Sequence, residues 1–273
     1  MDFKNEILLN DKVIIITGGT GVLGQSFING IANAGGTVGI LGRNEKVASE
    51  RVDAVISKGG KAISLIADVT SEQQLVAAKE KILDKFGKID GLVNAAGGNR
   101  PNAVIAPDKD IFHLDMEALK EVMNLNLFGT VLPTQVFGES IAANGKGSIV
   151  NISSMASQRV ITKVLGYSLA KSAIDCYTKW FAVELGNRYG DNIRMNAIAP
   201  GFFLTEQNRG MLTNGDGTLT DRGSLVIKNT PFNRFGNPDE LIGALVWLLS
   251  DASKFVTGTV VNVDGGFSVF SGV

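Results

Sequence analysis

Short apolar runs alternate along this chain with longer segments whose apolar residues recur at helical spacing. The first run, Val13–Thr17, is rich in β-branched residues, and Phe27, Ile28 and Ile31 follow it on one helical face. Further strand-like runs lie at residues 37–41, 62–66, 91–94, 148–152, 193–199 and 259–263. Strands that alternate with helices form crossover units and a parallel sheet. The pattern predicts an α/β fold: one doubly wound domain over residues 1–273, with about seven parallel strands and helices on both faces.

One long segment, residues 202–237, breaks this rhythm. It is rich in Gly, Asn, Thr and Asp and comes soon after a predicted strand. Loops of this length in compact domains are usually functional, and open α/β sheets bind ligands beyond the carboxyl ends of their strands. We therefore predict that residues 202–237 form a loop that acts as a lid over a substrate.

Composition and charge limit the class of protein. The 273 residues are 44% hydrophobic and carry 26 basic against 27 acidic side chains, which suits one well-cored domain. No basic stripe indicates a nucleic-acid partner. The first ten residues lack the apolar core of a signal peptide or membrane span, so we expect no membrane partner and a cytoplasmic protein.

Disulfide and metal chemistry are not expected. The single cysteine, Cys176, excludes an internal disulfide, and its apolar neighbours predict a packed thiol. His113 is the only histidine and is predicted to be a surface or half-packed imidazole. Because the chain has neither paired cysteines nor clustered histidines, we expect no metal site.

A glycine-rich turn follows the first apolar run. Its sequence is Gly18-Gly19-Thr20-Gly21-Val22-Leu23-Gly24, and a helical pattern comes next. Gly19, Gly21 and Gly24 have the spacing of a dinucleotide fingerprint, in which small residues let backbone amides approach a pyrophosphate. The strand, turn and helix predict a Rossmann-type cofactor site. The alternative is a tight turn that binds no ligand.

A second motif, Tyr167-Ser168-Leu169-Ala170-Lys171, places a phenol and an ammonium four positions apart in a helical segment. Residues at this spacing share a helical face, so the two side chains can converge on one reacting atom. A nearby cation favours the phenolate, and we expect Lys171 to lower the pKa of Tyr167 into a range useful for proton transfer. The alternative is a chance pair, with Tyr167 packed and Lys171 solvated.

Together with other motifs, these segments resemble the short-chain dehydrogenase/reductase family over nearly the whole chain. The matching pieces are residues 17–24, Ala67-Asp68-Val69, Asn94-Ala95-Ala96-Gly97, Asn126-Leu127, Ser153-Ser154, Tyr167 with Lys171, and Pro200-Gly201 with Thr205. The resemblance implies a catalytic set of Asn126, Ser154, Tyr167 and Lys171. Ser154 lies thirteen residues before Tyr167, and Ser153 is expected to be structural. Val22 stands where the family's turn usually has glycine or alanine.

The resemblance also implies a role for each catalytic residue. Tyr167 would give its proton to a carbonyl oxygen as a nicotinamide delivers hydride, while Ser154 donates a second hydrogen bond to that oxygen. Lys171 would hold the hydroxyls of the nicotinamide ribose, and Asn126 would position a water that returns the proton.

Cofactor residues are implied in the same way. They are Gly18, Thr20, Gly21, Val22, Leu23, Gly24, Arg43, Asn44, Asp68, Val69, Asn94, Ala95, Ala96, Gly97, Tyr167, Lys171, Pro200, Gly201, Phe203 and Thr205. After the second strand, Gly42 and Arg43 stand where an acidic residue would bind the ribose and repel a 2′-phosphate, so NADP(H) is favoured. If Arg43 is merely solvated, NAD(H) is the alternative. Asp68 is expected to meet the adenine, to cap a helix, or both.

Three segments near the expected pocket carry cationic or amide groups, which suit a sugar acid. Beside Ser154, the candidate substrate residues are Asn99, Arg100, Arg159, Lys163, Gln207 and Arg209. Within the family, residues 201–209 and 264–273 resemble the D-mannonate oxidoreductase, or fructuronate reductase, branch. Arg100 and Ala156 depart from that branch's usual histidine and asparagine. We expect hydride transfer between a nicotinamide cofactor and a keto or hydroxy sugar acid, D-fructuronate to D-mannonate.

Two alternatives of different classes stay open. One is a reductase of another keto acid or polyol, similar to gluconate 5-dehydrogenase or 3-oxoacyl reductase. The other is a non-catalytic regulator that binds a dinucleotide, although the intact Ser154, Tyr167 and Lys171 argue against it. By the resemblance, the helices through residues 115–142 and 166–188 pair between subunits, which implies a homotetramer or homodimer.

Overall fold

The structure, a computed structural model, describes residues 3–106 and 110–272. Within these ranges, the side chains of Phe3, Lys4, Glu206 and Gln207 lie outside the description. The strands are Val13–Thr17 (β1), Thr37–Gly42 (β2), Lys61–Ile66 (β3), Gly91–Asn94 (β4), Gly147–Ile152 (β5), Ile193–Pro200 (β6) and Val260–Val263 (β7). All seven pair in parallel, in the order β3-β2-β1-β4-β5-β6-β7. The predicted parallel sheet is confirmed, and each strand agrees with its predicted run to within one residue at either end.

Helices connect and cover the strands on both faces. The described α-helices are Phe3–Glu6 (α1), Val22–Asn33 (α2), Glu45–Ile56 (α3), Glu72–Phe86 (α4), Met116–Met123 (α5), Gly129–Ala143 (α6), Leu165–Tyr189 (α7), Glu206–Leu212 (α8), Asp221–Lys228 (α9) and Ile242–Leu249 (α10). A five-residue π-helix, Asn124–Phe128, joins α5 to α6. The doubly wound arrangement is therefore confirmed.

Alternation along the central strand shows how one sheet serves two cores. Successive side chains of a strand point to opposite faces. In β1, Ile14 and Ile16 belong to a cluster that contains Phe27 of α2. Val13 and Ile15 belong to a second cluster, which contains Phe137 of α6. Every residue of β1 is buried, as expected for a parallel strand covered on both faces.

A chain of buried hydrogen bonds fixes the middle of the sheet against two helices. The Asn94 amide on β4 donates to Thr134 Oγ1 of α6 and to Asn151 Oδ1 of β5, both at 2.9 Å. Asn151 in turn donates to Thr178 Oγ1 of α7 at 2.9 Å. The side-chain nitrogen of Asn94 therefore supports the sheet, and the cofactor contact expected at this residue stays a prediction.

The segment at residues 202–237 differs from the predicted loop. It contains α8 and α9, joined by a turn in which Thr213 and Leu219 form an isolated bridge. The polar composition that indicated a loop belongs to helix caps and this turn: Thr220 Oγ1 accepts the amide of Gly223, and Asp216 Oδ1 accepts that of Thr218. We use "helical lid" below for residues 206–228.

The side chains of Cys176 and His113 are both exposed to solvent. Cys176 lies on the exposed side of α7, so the expectation of a packed thiol is wrong. The buried neighbour Ile174 lies on a different face of the helix, because residues two positions apart do not share a helical face. His113 is exposed, and its Nδ1 lies 3.0 Å from Asp110 Oδ2, which confirms a surface imidazole.

Among the described residues, no helix is both long enough and apolar enough to cross a membrane.

Candidate active site

Tyr167, Ser154 and Lys171 converge where β5 ends beside α7. Tyr167 and Lys171 lie one turn apart near the start of α7, and Ser154 follows β5 by two residues. Ser154 is hydrogen-bonded to the Tyr167 hydroxyl and also accepts the amide of Ala156 at 3.1 Å. Lys171 Nζ donates to the carbonyl oxygen of Ile152 at 2.7 Å and lies 5.4 Å from the centre of the Tyr167 ring. The structure therefore assembles the predicted proton-transfer group.

Burial shifts the two titrating groups in opposite directions. It raises the pKa of Tyr167 above the ordinary phenol value, and the hydrogen bond from Ser154 only partly opposes this. It lowers the pKa of Lys171 to about 8, against the charge of Asp175. The expectation that Lys171 acidifies Tyr167 is therefore corrected: in this dry environment Tyr167 holds its proton at neutral pH and is suited to donate it.

Asn126 shapes the loop beyond β4. It lies fully buried in the π-helix, a feature often found at functional sites. Its Nδ2 donates to the carbonyls of Gly98 (2.6 Å) and Val122 (2.7 Å), and its Oδ1 accepts the amide of Gly98 (3.0 Å). A Cβ at Gly97 would lie 2.7 Å from Asn126 Oδ1 and 3.5 Å from Lys171 Nζ. Asn126 thus holds this loop close to Lys171.

The glycine turn has the shape that a pyrophosphate requires. Gly18 has a φ of +65°, and a Cβ there would lie 2.8 Å from the backbone of Ala95 and Ala96. A Cβ at Gly24 would lie 2.5 Å from the Gly18 carbonyl oxygen. The helix α2 starts at Val22 with no side-chain cap from Gly21, so its first amides are free to meet an anion. These residues fit a dinucleotide, and Val22 does not obstruct the turn.

Two further residues that support this turn were not predicted. Arg51 of α3 donates through Nη1 to the carbonyls of Gly19 and Gly21, the latter at 2.8 Å. Burial lowers the pKa of Arg51, although the group stays a cation. Thr17 Oγ1 accepts the amides of Ala95 (3.0 Å) and Ala96 (3.1 Å), which ties the end of β1 to the loop after β4.

At the end of β2, the residues that were predicted to bind the adenosine part of the cofactor form a small polar group. Arg43 is 69% exposed and its Nη1 lies 3.5 Å from Asp68 Oδ2. Asp68 also accepts hydrogen bonds from the amide and the hydroxyl of Thr70. Partial burial acts to raise the pKa of Asp68, but the bonds from Thr70 and the nearby positive charge of Arg43 lower it below its usual value. Asn44 caps α3 by accepting the amide of Val47 at 3.1 Å. Asp68 and Asn44 therefore have structural roles, and Arg43 is the exposed cation of this group.

The loop after β6 brings backbone close to the cleft. Gly201 donates its amide to Val263 at 2.9 Å, and a Cβ there would lie 2.6 Å from Asp264 Cα. Thr205 precedes α8, with its amide donating to Asn208 Oδ1 at 2.8 Å. Phe203 and Val69, expected to contact cofactor, have buried side chains: Phe203 joins the hydrophobic core, and Val69 packs against Gly129. Only their backbone atoms are left for such contacts.

A cavity of about 650 Å³ opens beside Tyr167 and Ser154. Most of its walls are apolar, and polar groups enter at few points. The lining residues are Asn99, Arg100, Pro101, Val104, Ser154, Met155, Ala156, Ile161, Val164, Tyr167, Gly201, Phe202, Asn208, Met211, Leu212 and Arg222. The helical lid forms one wall.

Three polar groups of the cavity could recognise a ligand. Both amide atoms of Asn99 are buried with no hydrogen-bond partner among the described residues. Arg100 Nε lies 3.4 Å from Glu121 Oε2. Arg222 of α9 reaches across from the lid and donates to the carbonyl of Thr162 at 3.2 Å. Because buried amides are seldom left unpaired, Asn99 marks a place for a polar ligand group.

Three other predicted substrate residues, Arg159, Lys163 and Arg209, do not line this cavity. Arg159 is exposed and donates to the Phe270 carbonyl at 3.2 Å. Lys163 has a φ of +75° and its carbonyl accepts the amide of Ile105. Arg209 is exposed on α8, and the side chain of Gln207 lies outside the described residues. Arg222 and Asn208 were missed; the only sequence signal was the spacing of Asn208 from Thr205, typical of a helix cap.

Comparison with known proteins agrees with this geometry. A family model described as enoyl-(acyl carrier protein) reductase, a branch of the short-chain dehydrogenases/reductases, matches residues 22–268. The chain belongs to the short-chain dehydrogenase/reductase family. It is an oxidoreductase, and solved relatives hold NAD or NADP.

Three relatives illustrate the range within this family. The uncharacterized oxidoreductase UxuB of Bacillus subtilis (strain 168) is 41% identical, over 97% of this chain and 98% of its own. A structure from Haemophilus influenza with bound NAD, provisionally assigned as a D-mannonate oxidoreductase, is 39% identical, with a TM-score of 0.90 and 99% of each chain covered. A gluconate 5-dehydrogenase from Burkholderia cenocepacia J2315, in complex with NADP and tartrate, is 31% identical, with a TM-score of 0.86 and coverage of 97% and 98%.

Replacing Tyr167 by Phe tests the proton donor. We expect the Tyr167→Phe variant to lose at least about 100-fold in kcat, because a positioned acid contributes on that order, while its affinity for the dinucleotide changes little. Turnover is measured from the absorbance of the reduced nicotinamide and binding from its fluorescence. Tyr177→Phe, on the same helix outside the cavity, is the control. An undiminished rate would remove Tyr167 from the chemistry, and a parallel loss of binding would indicate a damaged fold.

Proposed function

We propose that this protein is an NADP(H)-dependent reductase of a keto sugar acid, with D-fructuronate to D-mannonate as its reaction. The observation that carries the proposal is one cavity that joins the hydroxyls of Tyr167 and Ser154 to the unpaired amide of Asn99 and the guanidinium groups of Arg100 and Arg222. The relative provisionally assigned as a D-mannonate oxidoreductase supports it. The gluconate 5-dehydrogenase that binds tartrate supports a hydroxy acid more broadly.

Tyr167 and Ser154 manage the keto oxygen. A bound nicotinamide supplies the hydride. Tyr167, which keeps its proton at neutral pH, gives that proton to the oxygen, and Ser154 donates a second hydrogen bond to the negative charge that develops there. The Ser154 oxygen already accepts from Ala156, so its proton is free to point toward substrate or Tyr167.

Lys171 and Asn126 support the proton donor. Once Tyr167 has lost its proton, the Lys171 ammonium stabilises the phenolate, and it carries that charge below a pH of about 8. Lys171 also faces the loop that Asn126 holds at Gly98. The placement of a proton-returning water by Asn126, and of the ribose hydroxyls by Lys171, belongs to this proposal.

The cavity's cations suit the acid group of the substrate. Arg222 donates to Thr162 and has no carboxylate partner among the described residues, so several of its donors are free. Arg100 shares its charge with Glu121, which leaves Arg222 the stronger candidate for a carboxylate. Asn99 can donate to and accept from a hydroxyl.

Residues at the end of β2 support NADP(H). Gly42 offers no carboxylate, and a Cβ there would lie 2.7 Å from Thr20 Oγ1, so a larger side chain at this position would require Thr20 to move. Arg43 is exposed and only loosely paired with Asp68, so it can meet a 2′-phosphate. NAD(H) is the alternative, supported by the NAD in the Haemophilus relative.

The apolar walls favour a second candidate substrate. Pro101, Met155, Ile161, Phe202 and Leu212 offer few partners to the hydroxyls of a sugar chain. A keto acid with a larger apolar body would bury more surface here, as would a 3-oxoacyl group. The chemistry at Tyr167 and Ser154 would be the same. A non-catalytic regulator is disfavoured because the catalytic set is assembled.

We also propose a homodimer or homotetramer that resides in the cytoplasm. Large apolar side chains stand exposed on the surface formed by α5, the π-helix and α7. They are Met116, Phe128, Leu169, Trp180 and Val183. Groups of exposed large apolar side chains mark protein contacts, and a second copy of the chain could cover these five.

Substrate choice is tested with D-fructuronate and NADPH. We expect the purified protein to oxidise NADPH with this acid, and Arg222→Gln to raise KM about 10- to 100-fold, since a charge-assisted hydrogen bond contributes roughly 1.5–3 kcal/mol. The control is Arg209→Gln, an exposed arginine of the same lid, which should leave KM unchanged. A panel with D-fructose, which lacks the carboxylate, and 3-oxoacyl substrates identifies the alternatives. Equal KM values for the two variants would exclude Arg222 from recognition.

Cofactor choice is tested with Arg43→Ala. The 2′-phosphate is expected to lose a charge-assisted contact, so the Kd for NADPH should rise roughly tenfold while that for NADH changes less than twofold. Fluorescence titration measures both constants, and Arg188→Ala, on the far end of α7, is the control. Equal weakening of both cofactors would contradict phosphate recognition by Arg43.

A further inference from the structure

Asp175 is a buried acid one turn beyond Lys171 and two turns beyond Tyr167. Residues four apart on a helix lie above one another, so the three side chains share one face of α7. Asp175 is only 9% exposed. A carboxylate is seldom buried unless hydrogen bonds or an opposite charge compensate for the lost water. Its partners therefore indicate what it does.

Two serines on either side of Ser154 supply these hydrogen bonds. Ser153 donates to Asp175 Oδ1, and Ser157 Oγ lies 2.6 Å from Asp175 Oδ2. Ser157 Oγ is also 2.7 Å from the carbonyl oxygen of Ser154. The carboxylate thus holds both ends of the turn that presents the Ser154 hydroxyl to Tyr167.

Lys171 supplies the opposite charge. Burial lowers the pKa of Lys171 to about 8, and the Asp175 carboxylate acts against that shift. Lys171 also donates a hydrogen bond to the carbonyl oxygen of Ile152, the residue directly before the same turn. Asp175 and Lys171 therefore bind neighbouring atoms of one short segment while they balance each other's charge.

Other charged groups around this pair are few among the described residues. The turn at 153–157 and the π-helix contain none. On α7 itself the titrating groups within about one turn of the pair are Tyr167, Cys176, Tyr177 and Lys179, and both Cys176 and Lys179 are exposed to solvent. On α5, Lys120 pairs with Glu117, and Glu121 pairs with Arg100. In β6, Arg194 bonds to Ser250 and Ser253 at the opposite end of the strand. Asp175 is thus the anion that acts on Lys171.

We propose that Asp175 is a positioning residue for catalysis, which clamps the turn bearing Ser154 against α7 and provides the counter-charge of Lys171. The inference rests on the roles of Ser154 and Lys171 in the proposed function, and it is independent of which acid is the substrate. It assigns Asp175 two separable effects: one on geometry through Ser153 and Ser157, and one on charge through Lys171.

The test uses Asp175→Asn with two readouts. An amide keeps the size of the side chain but removes its charge, so the titration of Lys171 should move to lower pH. Nuclear magnetic resonance of protein labelled at lysine 13Cε follows this titration, with the signal assigned by Lys171→Arg. Reductive kcat should fall about 10- to 100-fold, because misplacing a catalytic group by about 1 Å has that effect, and its decline at alkaline pH should begin at lower pH.

Matched variants separate the two effects. Ser157→Ala keeps the carboxylate, so kcat should fall at least fivefold while the Lys171 titration stays in place. Asp175→Glu restores the charge with a displaced carboxylate; the Lys171 titration should return toward the native value while kcat stays low. Asp191→Asn, an exposed acid just beyond α7, should change neither readout. If Asp175→Asn does not fold, Ser157→Ala and Asp175→Glu still decide the geometric part.

Two results would overturn the proposal. One is a Lys171 titration that stays unmoved in folded Asp175→Asn, and the other is full turnover in Ser157→Ala. If D-fructuronate is not reduced by the native protein, the proposed substrate fails, but the Lys171 titration still tests Asp175. The two failures are therefore distinguishable.

Discussion

The hydrogen bonds between α7 and the end of β5 are the constraint on which the catalytic group depends. Lys171 binds the carbonyl of Ile152, and Asp175 binds the hydroxyls of Ser153 and Ser157. Since α7 also carries Tyr167, one rigid helix sets the phenol, the ammonium and the turn with Ser154 in a common frame. The parallel sheet provides that frame, because β5 lies between β4 and β6 and ends at the edge where ligands of such folds bind.

Burial gives this group its chemical character. Tyr167 and Lys171 are both desolvated, so each is driven toward its neutral form, the phenol and the amine. A neutral phenol is a proton donor, and the carboxylate of Asp175 helps the lysine to keep its charge beside it. The cost of burying these polar groups is offset by the apolar packing of both sheet faces and by the hydrogen bonds that link Asn94, Asn151 and Thr178.

Local patterns predicted most of the fold and the catalytic group. Short strand-like runs marked all seven strands, and the Tyr167–Lys171 spacing survives folding because it is a property of one helix. Arg222 and Arg51 were not identified as site residues, since each bonds to a segment at least 30 positions away and no spacing rule joins them. Asp175 was missed although it lies one turn beyond Lys171, because its bonds to Ser153 and Ser157 form only in the folded chain. The side-chain directions of Asn94 and Phe203 could not be predicted from the sequence, because tertiary packing decides which way each side chain faces. The two helices within residues 202–237 were missed because capping residues and loop residues have the same composition.

The most direct test of the shared frame is a double-mutant cycle on the kcat of reduction with Ser154→Ala and Tyr167→Phe. If both hydroxyls act on one oxygen, the loss in the double variant should scarcely exceed that in Tyr167→Phe alone, as for residues that act as a unit. Losses that multiply independently would contradict a common target for Ser154 and Tyr167.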